Sequence, residues 1–106
     1  MNERLLDLGR LAEPSLYILV SLSDVPKHGY AIMSDVERLS AYPIGPGTLY
    51  SALARLEQRG LIEALEPTER RRPYRLTELG STTLRAHLEG LGGLVRTGLS
   101  RLGEEP

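Results

Sequence analysis

Gly45-Pro46-Gly47-Thr48-Leu49-Tyr50-Ser51-Ala52-Leu53-Ala54-Arg55-Leu56-Glu57-Gln58-Arg59-Gly60 is the most regular stretch of the chain. Its ends are punctuated. Gly45 suits a helix cap, Pro46 the first helical position and Gly60 a left-handed stop. At about 100° per residue, Leu49, Ala52, Leu53 and Leu56 share one face. Gly47, Ser51, Ala54, Arg55 and Gln58 share the opposite face, with Tyr50 on the flank beside Ala54 and Glu57. That outer face is small at its N-terminal end and carries hydrogen-bond donors further along. A major groove admits one α-helix and is read by side-chain hydrogen bonds, and this face fits that use. An ordinary solvent face is more crowded with Glu and Lys.

Upstream, Pro14 is placed to start a helix carrying Leu16, Ile18, Leu19, Val20 and Leu22, apolar on most sides and therefore buried. Asp24-Val25-Pro26-Lys27 breaks it. His28 to Leu39 then reads as an amphipathic helix through Tyr30, Ile32, Met33, Val36 and Leu39, and Ser40 to Gly45 as a turn. Before Pro14, Leu5, Leu6, Leu8 and Leu11 predict a further short helix.

Downstream, Leu61 to Glu66 is expected as a strand, Pro67 to Pro73 as a turn with a charged tip, and Tyr74-Arg75-Leu76 as the returning strand. Thr77 is placed to cap a last helix with Glu78 in its first turn. Leu79, Leu84, Leu88, Leu91, Val95, Leu99 and Leu102 follow at steps of 3 to 5, more than a small domain needs for its own core. Part of that stripe is expected to pack on another chain. Gly90, Gly92, Gly93 and Gly98 each weaken a helix by roughly 1 kcal/mol relative to Ala, which predicts a kinked, frayed or shortened helix.

Helix, helix, turn, helix, then a two-stranded hairpin with an arginine tip is the order of a winged helix-turn-helix: mainly α with a small β-hairpin. Residues 1–77 are expected to form the DNA-binding unit, and 78–104 a C-terminal dimerisation helix of the same compact body. The third helix, about 46–59, is expected in the major groove, and the wing, about 61–76, on the backbone or minor groove.

Composition narrows the chemistry. A chain of 106 residues fits one domain. Its 21 leucines supply a core that holds no Phe or Trp. Without cysteine there is no disulfide framework, Cys-ligated zinc or thiol nucleophile. No apolar run approaches the ~20 residues of a membrane span. Met1-Asn2-Glu3-Arg4 lacks the start of a signal peptide, so a soluble cytoplasmic domain is expected. His28 and His87 are the only histidines, and no carboxylate pair sits at ligand spacing. His28 is read as structural, at the start of the second helix. Gly45 to Thr48 lacks the Lys and the spacing of a phosphate-binding loop. No enzyme activity, metal or cofactor is expected.

The net charge of −1 is an average over two unlike parts. Residues 46–75 carry six arginines against four glutamates, a net of +2, and the rest of the chain a net of −3. Twelve of the thirteen basic residues are Arg, whose planar donor fork suits phosphates and guanine edges. Genome base composition and a solvated face also account for Arg enrichment. Arg70-Arg71-Arg72 stands apart because it falls at the expected hairpin tip.

Lys27-His28-Gly29-Tyr30, Gly45 to Tyr50, Leu53-Ala54-Arg55-Leu56-Glu57-Gln58-Arg59-Gly60-Leu61-Ile62 and Tyr74-Arg75-Leu76-Thr77-Glu78-Leu79-Gly80 resemble the PadR family of transcriptional regulators. The resemblance covers about residues 14–90 in order. It implies a homodimeric winged-helix repressor, bound to an inverted-repeat operator in double-stranded DNA and regulating its own or a neighbouring operon. Carried over, DNA contact falls to Thr48, Tyr50, Ser51 and Arg55, and dimerisation to Leu84, Leu88, Leu91, Val95 and Leu99. Helical phase adds Gly47 and Gln58 to the groove-facing set, and the wing adds Arg70, Arg71 and Arg72. Tyr50 as a buried packing residue is the competing reading. Gly45 stands where the family usually has Ser, which removes a hydroxyl cap. Pro73 stands where an aromatic is usual, which predicts a shortened strand ladder. Some relatives release DNA on binding flat aromatic compounds held between Trp side chains. This chain has no Trp, so an effector stays unassigned. The alternative function is a winged-helix protein-interaction module whose arginines meet an acidic partner.

Overall fold

The computed structural model describes residues 14–103. The stripe Leu5 to Leu11 and the end of the 78–104 segment lie outside the described residues. A helix covers residues 14–21 (α1), followed by β1 (Lys27–His28), α2 (Gly29–Ser40), α3 (Pro46–Gln58), β2 (Ile62–Ala64), β3 (Pro73–Leu76) and α4 (Glu78–Arg101). The mainly helical class with a small sheet is as expected. No helix among the described residues is long and apolar enough to cross a membrane.

One apolar cluster holds these elements together. Ile18, Leu19 and Leu22 meet Ile32 and Val36 of α2, the inner face of α3, and Ile62. The inner face of α3 is Leu49, Ala52, Leu53 and Leu56, all nearly fully buried, as the helical phase predicts. Burying such a side chain stabilises by roughly 1.5–3 kcal/mol, so these contacts fix which way α3 turns its other face. Leu84 also lies in this cluster. Within one chain it is therefore buried, unlike the rest of the stripe expected to meet a second chain. The first turns of α4 pack on the wing, and that packing claims Leu84 for the chain's own core.

The sheet differs from the expected two-stranded hairpin. It has three strands in the order β1-β3-β2, with Lys27 opposite Tyr74 and His28 opposite Pro73. A two-residue strand carries no alternation to read, and its pairing is made across some 45 residues of chain. Consequently α2 starts at Gly29, with His28 as its cap residue. Pro73 sits at the first position of β3, where proline is tolerated, and its carbonyl accepts from Leu65 N–H at 2.8 Å. The β2–β3 ladder then runs through Ala64↔Tyr74, Glu63↔Arg75 and Ile62↔Leu76.

Polar ties fix β1. The Lys27 side chain is largely buried, and its Nζ donates to the Ser21 carbonyl and, at 2.6 Å, to Asp24. That bond, with the Val25 N–H, holds the Asp24 carboxyl below its ordinary range. The single lysine thus pins the end of α1 to the sheet. On α2, Asp35 pairs with Arg38, and its carboxyl lies below its ordinary range despite the opposing effect of burial.

α4 is continuous over 24 residues despite its glycines, so the expected early end is not seen. Its start is strongly specified. Thr77 Oγ1 accepts from Gly80 N–H at 3.0 Å and donates to the Gly60 carbonyl at 2.6 Å, joining the α4 cap to the end of α3. Gly80 lies so close to the Leu61 carbonyl that a Cβ there would overlap it. Beyond Leu84 no apolar residue of α4 is buried. Leu88, Leu91, Leu94, Val95, Leu99 and Leu102 are all exposed.

Candidate nucleic-acid interface

α3 presents its outer face without obstruction. Gly45 is the cap residue in extended conformation, Pro46 opens the helix, and no side chain caps it. The absent hydroxyl therefore leaves the first turn uncapped by a side chain. The helix ends at Gln58, one residue short of the expected boundary, with Gly60 at φ +77 as the left-handed stop. Gly47, Thr48, Ser51, Ala54, Arg55 and Gln58 are all exposed. Arg55 and Gln58 have no side-chain partner among the described residues. Their donors are available to a ligand.

Tyr50 is half exposed, and neither sequence reading describes it fully. Its ring lies against Gly29 so closely that a Cβ on Gly29 would overlap the phenol oxygen. The hydroxyl is thereby held at the start of α2. Only glycine leaves that space.

The wing tip is a tight two-residue turn. Thr68 and Arg71 exchange both backbone hydrogen bonds at 2.8 Å, and Glu69 and Arg70 between them take φ of 48 and 68. For residues other than glycine, such left-handed conformations cost roughly 1–2 kcal/mol each. The turn projects the three arginines, all exposed. Arg72 Nη1 reaches the Leu65 carbonyl at 3.4 Å, and Arg71 Nη1 lies 3.1 Å from His28 Nε2. Arg75 instead pairs with Glu63 across the strands at 2.6 Å, so its charge is balanced within the wing.

These parts meet in an open cleft of about 330 Å³ lined by His28, Gly29, Tyr30, Tyr50, Arg70, Arg71, Arg72 and Tyr74. Of the sequence-derived site residues, the cleft gathers Tyr50 and the three wing arginines. Gly47, Thr48, Ser51, Arg55 and Gln58 lie outside it, along α3. His28, Tyr30 and Tyr74 are additions, and the string Lys27-His28-Gly29-Tyr30 was the signal that marked two of them. Burial, then Glu57 and Tyr50, push the Tyr74 hydroxyl above its ordinary range, with Arg72 opposing, so it remains a neutral donor near pH 7. No group of three or more His, Cys, Asp or Glu that could hold a metal ion occurs among the described residues.

Residues 18–86 match the model of the transcriptional regulator PadR-like family. A transcriptional regulator from Clostridium thermocellum is 31% identical, with 90% of this chain and 93% of that one covered at a TM-score of 0.71. A PadR family transcriptional regulator from Eggerthella lenta is 28% identical over 99% of this chain and 93% of that one, with a TM-score of 0.67. An uncharacterized 37.1 kDa protein in transposon TN4556 of Streptomyces fradiae is 40% identical over 85 residues, 80% of this chain. The chain spans 25% of that relative's length.

Proposed function

The chain belongs to the PadR-like family of transcriptional regulators, not of enzymes, and on that premise we propose that it is a cytoplasmic, homodimeric, sequence-specific DNA-binding repressor. It acts on an inverted-repeat operator of its own or a neighbouring operon. The observation that carries this reading is the outer face of α3, exposed and supplied with donors that have no partner among the described residues. On that face Arg55 and Gln58 read base edges, while Thr48 and Ser51 lie nearer the backbone. Tyr50, Arg70, Arg71 and Arg72 contact phosphates beside them. Gly47 keeps the N-terminal end of the helix slim enough to approach the groove.

The exposed stripe Leu88, Leu91, Val95 and Leu99 supports the dimer. A groove of about 420 Å³ beside it, lined in part by Leu76, Leu84, Leu88 and Gly92, receives the second copy's α4. Two α3 helices related by a two-fold axis then face two half-sites.

The test is a titration of duplex fragments from the chain's own locus against a scrambled duplex of equal length. One own-locus fragment is expected to bind at least about 10³-fold more tightly, the lower end for specific recognition. Equal affinity for all fragments overturns the repressor reading and leaves a protein-interaction module.

A further inference from the structure

The cleft at the wing tip is built for an anion. Three guanidinium groups, one imidazole and three phenols line it, and no carboxylate does. It opens at the N-terminus of α2, where the cap residue His28 makes no side-chain cap bond and the first turn holds no acidic residue. The first N–H groups and the helix dipole there add to the attraction for negative charge.

The contact between His28 and Arg71 fixes which of the two donates. A guanidinium only donates, so at 3.1 Å the imidazole Nε2 stands as the acceptor. Protonating His28 removes that acceptor and sets two cations side by side. An anion between them reverses the preference: it accepts from Arg71, and it favours the imidazolium, whose Nε2–H then donates to it. Histidine is the side chain whose charge changes nearest neutral pH.

Building on the DNA-binding reading above, we propose that this cleft seats one backbone phosphate per protomer and that His28 takes up a proton from solvent as the phosphate binds. The surrounding charges are consistent with that coupling. Arg70, Arg71 and Arg72 of the wing supply positive charge that an anion in the cleft balances. Lys27 of β1 is already paired with Asp24. Tyr30 of α2, Tyr50 of α3 and Tyr74 of β3 line the cleft, and Glu57 of α3 acts on Tyr74.

Two duplexes test this, one from upstream of the chain's own gene and one scrambled, each titrated near pH 6 and near pH 7.5 at fixed salt. Wild type is expected to bind both at least about threefold more tightly at the lower pH, because a phosphate contact carries no sequence information. H28Q loses that gain, since Gln can accept from Arg71 but cannot titrate. H87Q, which alters the other histidine, keeps it. Proton NMR of the wild-type His28 ring provides a readout without a variant: adding the scrambled duplex moves its titration midpoint to higher pH.

A wild type without the gain, an H28Q that retains it, or a ring midpoint that stays or falls overturns the proposal. If the gain follows His28 while the own-locus duplex binds no better than the scrambled one, the phosphate seat stands and the repressor reading falls. Failure of both duplexes to bind overturns both readings.

Discussion

On the proposed reading, Arg55 is the residue on which base recognition rests most heavily. It is exposed one turn beyond Ser51 on the outer face of α3, and nothing in the described chain competes for its donors. A bidentate contact from such a side chain to a base edge is worth about 1–3 kcal/mol. Arg55→Ala is therefore expected to weaken operator binding by about that amount and to relax specificity at one position per half-site, measured on a panel of single-base operator variants. A uniform loss across the panel assigns Arg55 to a phosphate instead. Its neighbour Tyr50 shows what helical phase leaves out. Phase puts Tyr50 on the flank but says nothing of Gly29, whose bare backbone receives the phenol. Leu49, Ala52, Leu53 and Leu56 were legible because one helix's own periodicity decides their burial. The approach of His28 to Arg71 was not, because it joins residues 43 apart in the chain.

Among the elements, α4 raises the sharpest physical question. Its first turns are held by the Thr77 cap, by Gly80 against Leu61 and by buried Leu84. From Leu88 onward it buries no apolar side chain, yet four glycines burden it by roughly 1 kcal/mol each. Packing supplies most helix stability in proteins, so this segment calls for a partner surface. Leu88, Leu91, Val95 and Leu99 are 38–57% exposed, so covering each contributes about 1 kcal/mol. Both copies together reach only the lower part of the roughly 4–15 kcal/mol cost of association. An unpaired carboxylate in that seam costs several kcal/mol and decides the balance. Leu88→Glu is accordingly expected to give monomers by light scattering after size exclusion, with operator affinity falling alongside. A dimer that survives the change moves the interface off this stripe. The stripe itself was visible as a heptad-like spacing. That Leu84 is already buried in its own chain was not, because its place in the core cluster is decided by tertiary contacts.

For the whole molecule, charge distribution matters more than charge. The net of −1 divides into +2 over residues 46–75, which hold α3 and the wing, and −3 elsewhere. Within the basic part, Arg75 is balanced by Glu63, while Arg55, Arg70, Arg71 and Arg72 are exposed toward solvent. Such a body is not drawn strongly to all DNA, and the proposed dimer would concentrate two basic heads on one site. Affinity then depends on counterions released from the phosphates those heads neutralise. The most direct measurement is the dissociation constant of the wild-type protein for its own-locus duplex between about 50 and 200 mM salt. With about 6–10 phosphates neutralised by the dimer, affinity is expected to fall on the order of 10³–10⁵-fold. A dissociation constant that stays nearly flat across that range contradicts a DNA-reading head built from α3 and the arginine wing.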